Sequence, residues 1–181
     1  MKILILGDVM GISGRKAINS YLGKIINENA IDFTIINGEN AADDGRGITK
    51  LIAEEFLSQG VDVITSGNHI WDKQETIEYI NQESRLLRPA NLPEGSPGSG
   101  YKIYLTKDKK FKVGVINLMG NVFMRKTDDV FEVAKKIKDK NAIKHFPAEG
   151  EGTLSGIIIE ADQNTGLAKK ITRLIEGGSL T

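Results

Sequence analysis

The chain opens on a continuous apolar run, residues 3–6, that stops at Gly7-Asp8. An unbroken apolar run of this length predicts a strand buried on both faces, as in a central or parallel sheet. A Gly-rich turn follows, Gly11-Ile12-Ser13-Gly14, and then Ala17, Ile18, Tyr21, Leu22 and Ile25 recur at helical spacing. The same grammar repeats twice. Residues 33–36 predict a second strand ending in Asn37-Gly38-Glu39-Asn40, followed by the turn Asp44-Gly45-Arg46-Gly47 and a helix over 49–58. Residues 61–64 predict a third strand ending in Ser66-Gly67-Asn68-His69, followed by a helix over 73–80.

Three strand–turn–helix units in succession need crossover connections, which imply a parallel sheet with helices packed on it. In open α/β sheets, sites form where the C-terminal ends of strands meet. The three polar clusters are therefore expected to converge. The pattern then changes. Residues 88–100 are rich in Pro and Gly and predict an irregular loop. Residues 101–105 and 113–118 predict an antiparallel hairpin through the charged turn at 107–110. Residues 130–138 read as a short amphipathic helix. A second hairpin, 154–159 and 168–175 around Gln163-Asn164-Thr165-Gly166, closes the pattern. No internal repeat, low-complexity tract or linker divides the chain, so residues 1–181 are expected to form one domain.

Composition narrows the chemistry. The 181 residues are 40% hydrophobic, enough for a sizeable core. Lys plus Arg and Asp plus Glu number 24 each, so the formal net charge is zero. No basic excess points to a DNA track or an anionic membrane surface. A small anionic substrate stays compatible, because a metal ion supplies positive charge locally. The absence of cysteine removes disulfides and thiolate chemistry. The first apolar run is too short for a secretory core, and no segment is long enough to span a bilayer. The expected location is the cytoplasm.

Asp8 after a first buried strand is a common metal or phosphate position, although a carboxylate there also simply caps a turn. Glu39 has two oxygens with which to bridge two cations, and Asn40 adds a carbonyl oxygen; a polar turn with a capping Asn is the bland alternative. Asn68 offers another oxygen, and His69 an imidazole that can ligate, donate a proton or stabilise charge. Together, oxygen-rich donors on three strand ends suit divalent Mn, Fe or Mg. Two such ions side by side activate water and neutralise a phosphoryl group.

The order Gly7-Asp8, then Asn37-Gly38-Glu39-Asn40-Ala41-Ala42, then Gly67-Asn68-His69-Ile70-Trp71-Asp72 resembles the calcineurin-like metallophosphoesterases, and within them the YmdB-type branch. Arg88-Pro89-Ala90-Asn91-Leu92-Pro93, Val115-Ile116-Asn117-Leu118 and Gly152-Thr153-Leu154-Ser155-Gly156 look like the same branch. The resemblance covers residues 1–138 and 144–178. It implies a four-layer α/β sandwich and metal-dependent hydrolysis of phosphodiesters, notably 2′,3′-cyclic nucleotides. Carried over, Asp8 and Asn40 hold a first metal, Glu39 bridges, Asn68 holds a second, and His69 is the acid or transition-state stabiliser.

The resembled pattern is not complete. The family adds three histidines, one in an Asp-Phe-His type motif and two in a Gly-Thr-His-Thr-His type motif, and neither motif occurs here. The only other histidine, His145, reads as structural or exposed rather than as a ligand. These departures predict an internal deletion near residues 139–143, a sandwich lacking part of its second half, and uncovered apolar surface that favours a homo-oligomer. They also predict one metal ion or none in place of two. The expected activity is phosphodiester hydrolysis. The competing expectation is a non-catalytic remnant that binds a metal, a nucleotide or a protein partner. A generic nucleotide-binding domain is disfavoured, since no Gly-x-Gly-x-x-Gly or P-loop pattern follows any strand.

Overall fold

A computed structural model describes residues 1–120, 124, 127–137 and 154–176. The alternation read from the sequence appears as β1 (Lys2–Leu6), α1 (Gly11–Asn29), β2 (Phe33–Asn37), α2 (Lys50–Ser58), β3 (Val63–Thr65) and α3 (Gln74–Gln82). There follow β4 (Leu86–Leu87), the hairpin β5 (Tyr101–Leu105) and β6 (Lys112–Ile116), α4 (Val130–Ile137), and the hairpin β7 (Leu154–Ala161) and β8 (Ala168–Glu176). The two-residue β4 has no counterpart in the sequence reading, because a strand that short carries no period. No helix among the described residues is long and apolar enough to cross a membrane.

One six-stranded sheet runs β4-β3-β2-β1-β7-β8. Strands β1 to β3 are parallel, as expected, and β4 extends them in parallel. The second hairpin joins this sheet: β7 pairs antiparallel with β1, and β8 with β7. The sheet is therefore mixed. Leu6 stands level with Ile36, and Asn37 with Thr65. The ladder continues past the strands, with Val9 N donating to Asn37 O at 3.0 Å and Gly38 N to Thr65 O at 3.0 Å. This shared register carries the three polar clusters off the same end of the sheet.

Alternation decides what each face of the sheet buries. Leu4, Leu6, Ile36 and Ile64 face the helices and pack with Ile18, Leu22 and Ile25 of α1 and Phe56 of α2. Thr49 caps α2, its hydroxyl accepting from Ile52 N at 3.2 Å. On the opposite face, Phe33, Val63 and Leu87 pack against Val113 and Val115 of β6. The β5–β6 hairpin thus forms a second layer of sheet. Among the described residues the order is helices, large sheet, small sheet. Tyr101, Ile103 and Leu105, on the outer face of β5, are 53%, 68% and 52% exposed.

The Asn residues of the loop motifs turn out to be ties between layers. Asn117, past the end of β6, donates from Nδ2 to Ser66 O at 2.7 Å and to Leu87 O at 3.2 Å. Ser66 Oγ donates to Leu87 O at 2.7 Å. Asn91 is fully buried; its Nδ2 donates to Met119 O at 2.6 Å and its Oδ1 accepts from Met119 N at 2.9 Å. Together these bonds hold the end of β3 against the end of the small sheet. Asn117→Leu leaves the Ser66 carbonyl without this donor and is expected to lower unfolding free energy by about 1–3 kcal/mol, the range for orphaning a buried polar group. Urea denaturation of the two proteins measures the difference.

Candidate functional site

The convergence expected from the strand ends is seen for all three clusters. Asn40, 6% exposed, donates from Nδ2 to Asp8 Oδ2 at 2.6 Å, across thirty-two positions of sequence. That bond ties the ends of β1 and β2 together at side-chain level. A backbone bond supports it, Gly11 N to Asn40 O at 2.8 Å. Asp8 Oδ1 and Glu39 Oε2 are both shielded from solvent.

Glu39 meets the third strand end at Gly67. A Cβ placed on Gly67 would run into the Glu39 carboxylate. Glycine is required here by close approach and not by backbone angle: its φ is ordinary, and the space a side chain would fill holds a carboxylate. Asn68 and His69 follow in a turn that ends with Asp72 N donating to His69 O at 3.1 Å. Both are half-buried. The imidazole Nδ1 lies 2.7 Å from Asp72 Oδ2. A carboxylate on Nδ1 fixes the ring's orientation and leaves Nε2 as its working atom.

Asp72 is the residue the sequence reading left without a role, although it ends the quoted Gly67-to-Asp72 motif. The signal that would have found it is the His-x-x-Asp spacing in a turn after a strand end. The loop at 41–47 contains the turn that the sequence predicts over 44–47. It is clamped from both sides. Arg15 of α1 donates from Nη1 to Ala41 O and from Nη2 to Asp43 Oδ1, the latter at 2.6 Å. Lys73 donates to both oxygens of Asp44 at 2.9 and 2.8 Å. The Lys73 hydrogen bond holds the Asp44 carboxyl below its ordinary range. That link therefore contributes above the ordinary carboxylate pKa and is lost only as pH falls through the lowered value.

The donor set of this cleft is two carboxylates, Asp8 and Glu39, with the carboxamides of Asn40 and Asn68. Asn40 uses its amide nitrogen on Asp8, so its carbonyl oxygen is the atom left for a ligand. Among the described residues, no three His, Cys, Asp or Glu side chains are gathered to hold a metal ion. An all-oxygen set with two negative charges fits one hard divalent cation, with water completing its sphere. It does not by itself furnish the nitrogen-rich shell of a two-metal centre. His145 lies outside the described residues.

A family model described as YmdB-like protein matches residues 4–148. The chain is 44% identical over 137 residues to a 2′,3′-cyclic-nucleotide 2′-phosphodiesterase of Bacillus subtilis strain 168, an alignment covering 76% of this chain and 51% of that one. The chain spans about half the length of the curated relatives it matches. Among solved structures, a hypothetical protein from Thermus thermophilus superposes with a TM-score of 0.84 at 19% identity, over 99% of this chain and 100% of that one. A novel phosphatase from Mycoplasma pneumoniae gives a TM-score of 0.83 at 20% identity, over 98% and 93%. These likenesses show a shared α/β fold. They lend no support to the internal deletion read near residues 139–143, and those residues lie outside the described ones.

The contact between Gly67 and Glu39 yields a direct expectation. Gly67→Ala forces the Glu39 carboxylate aside, and manganese affinity should fall about 10–100-fold, as when the support of a metal ligand is altered. Isothermal titration with manganese measures the loss, and circular dichroism checks that the fold survives.

Proposed function

The chain belongs to the YmdB-like family, and on that premise we propose that it is a metal-dependent phosphodiesterase acting on 2′,3′-cyclic nucleotides or similar small phosphodiesters. The observation that carries the reading is the bond from Asn40 to Asp8 and the approach of the Glu39 carboxylate to Gly67, two residues before an imidazole backed by a carboxylate. The 2′,3′-cyclic substrate is taken from the Bacillus subtilis relative named above.

In this reading Asp8, Glu39, Asn40 and Asn68 are the residues that would hold a divalent cation. The cation, Mn, Fe or Mg, supplies positive charge for the phosphoryl group and eases deprotonation of water. The protein's own residues do the rest. Asp8 and Glu39 are half-buried, each with one carboxylate oxygen shielded from solvent, and present negative charge from the end of the sheet. Asn40 holds Asp8 in place through its amide. His69, held at Nδ1 by Asp72, presents Nε2 to the departing ester oxygen and gives it a proton. Asp72 is a positioning residue in this scheme, since it acts through His69. The four-layer sandwich of the resembled family, lacking part of its second half, belongs to the same proposal.

A second reading has one observation in its favour. Two acids and no third ligating His, Cys, Asp or Glu among the described residues suit binding of a cation or nucleotide without turnover. In that case Asp8→Ala abolishes metal binding but leaves any protein partner bound.

The two readings part on one assay. Purified protein with manganese should hydrolyse 2′,3′-cyclic AMP, and His69→Ala should lower kcat by about 10²–10⁴-fold, the scale of lost acid–base catalysis. No hydrolysis of this ester or of an aryl phosphodiester by the manganese-loaded protein would overturn the enzymatic reading. Asp72→Asn should lower kcat with KM and manganese affinity kept, because it loosens the ring without touching substrate or metal; steady-state kinetics and metal titration separate these quantities.

A further inference from the structure

We propose that Arg46 binds the anionic phosphoryl group of the substrate at the rim of the site; this rests on the phosphodiesterase reading. The loop at 43–47 carries Asp43, Asp44 and Arg46. Asp43 is paired with Arg15 and Asp44 with Lys73. Arg46 is exposed and takes part in none of the ion pairs formed among the described residues. Cations rooted outside the loop neutralise its acids, so the guanidinium of Arg46 is the charge the loop has left to offer.

Gly45 and Gly47 flank Arg46 with φ of 73° and 79°, both in the left-handed region that favours glycine. The backbone thus turns around Arg46. Gly47 is pinned to the site: its N donates to Glu39 O at 2.7 Å, and its O accepts from Ala42 N at 2.9 Å. A Cβ on Gly47 would lie 3.1 Å from His69 O and 3.5 Å from the Asp72 Cβ. Arg46 is therefore one residue away from direct contact with both the Glu39 strand end and the His69 turn. The Arg15 and Lys73 pairs hold that position from opposite sides.

Chemistry gives the position a use. Asp8 and Glu39 would offset most of the charge a divalent cation brings, so a phosphodiester anion arriving at the cleft meets little net attraction. A guanidinium at the rim supplies that attraction and matches two phosphoryl oxygens with its paired N–H groups. Since Arg46 meets the substrate before and during reaction alike, its contribution falls on binding and appears in KM.

The test uses manganese-loaded wild type, R46A and R46K. It reads steady-state hydrolysis of 2′,3′-cyclic AMP over a salt series and calorimetric binding of inorganic phosphate. R46A is expected to raise KM and weaken phosphate binding by roughly tenfold or more, the scale of a lost charged hydrogen bond, while kcat changes little. Its KM should depend less on salt than the wild type's. R46K should recover part of the loss through charge alone. Turnover by the wild type with unchanged KM and phosphate affinity in R46A overturns the role of Arg46 and leaves the phosphodiesterase reading standing. A wild type that neither hydrolyses the ester nor binds phosphate overturns both.

Discussion

Parallel register among β1, β2 and β3 is the constraint on which the rest of this molecule depends. Hydrogen bonding aligns Leu6 with Ile36 and Asn37 with Thr65. Each strand then releases its polar tail at the same level. Asp8, Asn40, Glu39 and Gly67 come from three separate segments, yet Asn40 bonds to Asp8 and Glu39 closes on Gly67. A slip of one residue would invert every side chain across the sheet. It would carry Leu4, Leu6, Ile36 and Ile64 out of the helical core. The apolar cost of misregister is what protects the polar geometry, so the core and the candidate site are specified by the same residues.

The site also shows how glycine serves charge. Gly67 makes room for a carboxylate, and Gly45 and Gly47 let a short loop fold back upon the Glu39 and His69 main chains. None of these positions contributes a functional group. Each lets a functional group elsewhere come close, and Arg15 and Lys73 then fix the loop so that closeness persists. Asn117 does the equivalent from beneath by holding Ser66, one residue before Gly67.

Much of this was legible in the residues themselves. Period and punctuation located the first three strands and helices, both hairpins and α4, because each carries a strong apolar rhythm with glycine or charged breaks. The strand-end clusters were legible as a set: singly each reads equally as a turn cap, but glycine with a carboxylate, carboxamide or imidazole follows three successive buried strands. The rest depended on contacts between distant segments. Nothing local says that β7 pairs with β1, since a hairpin's pattern reports its two faces and not its neighbour. The His69–Asp72 contact was within reach of sequence, at a spacing of three, but a turn rather than a helix makes it. The Asn91 and Asn117 ties were visible as motif residues, and only their partners revealed that they join layers.

The β7–β8 hairpin has a meaning beyond pairing. By lying along β1 it converts the first and among the most apolar strands of the chain from a border into an interior. Gly156 allows the close fit, since a Cβ there would press on the Ile5 carbonyl and the Leu6 side chain. In exchange, among the described residues, β8 becomes the border, and it carries Lys169, Lys170 and Arg173 along its length. Cationic edges discourage the strand-to-strand stacking that leads to aggregates. The last hairpin is thus a guard: it moves the sheet's open boundary from a strand that would recruit other chains to one that repels them, and a nascent chain stays vulnerable to self-association until residues 154–176 have emerged and docked.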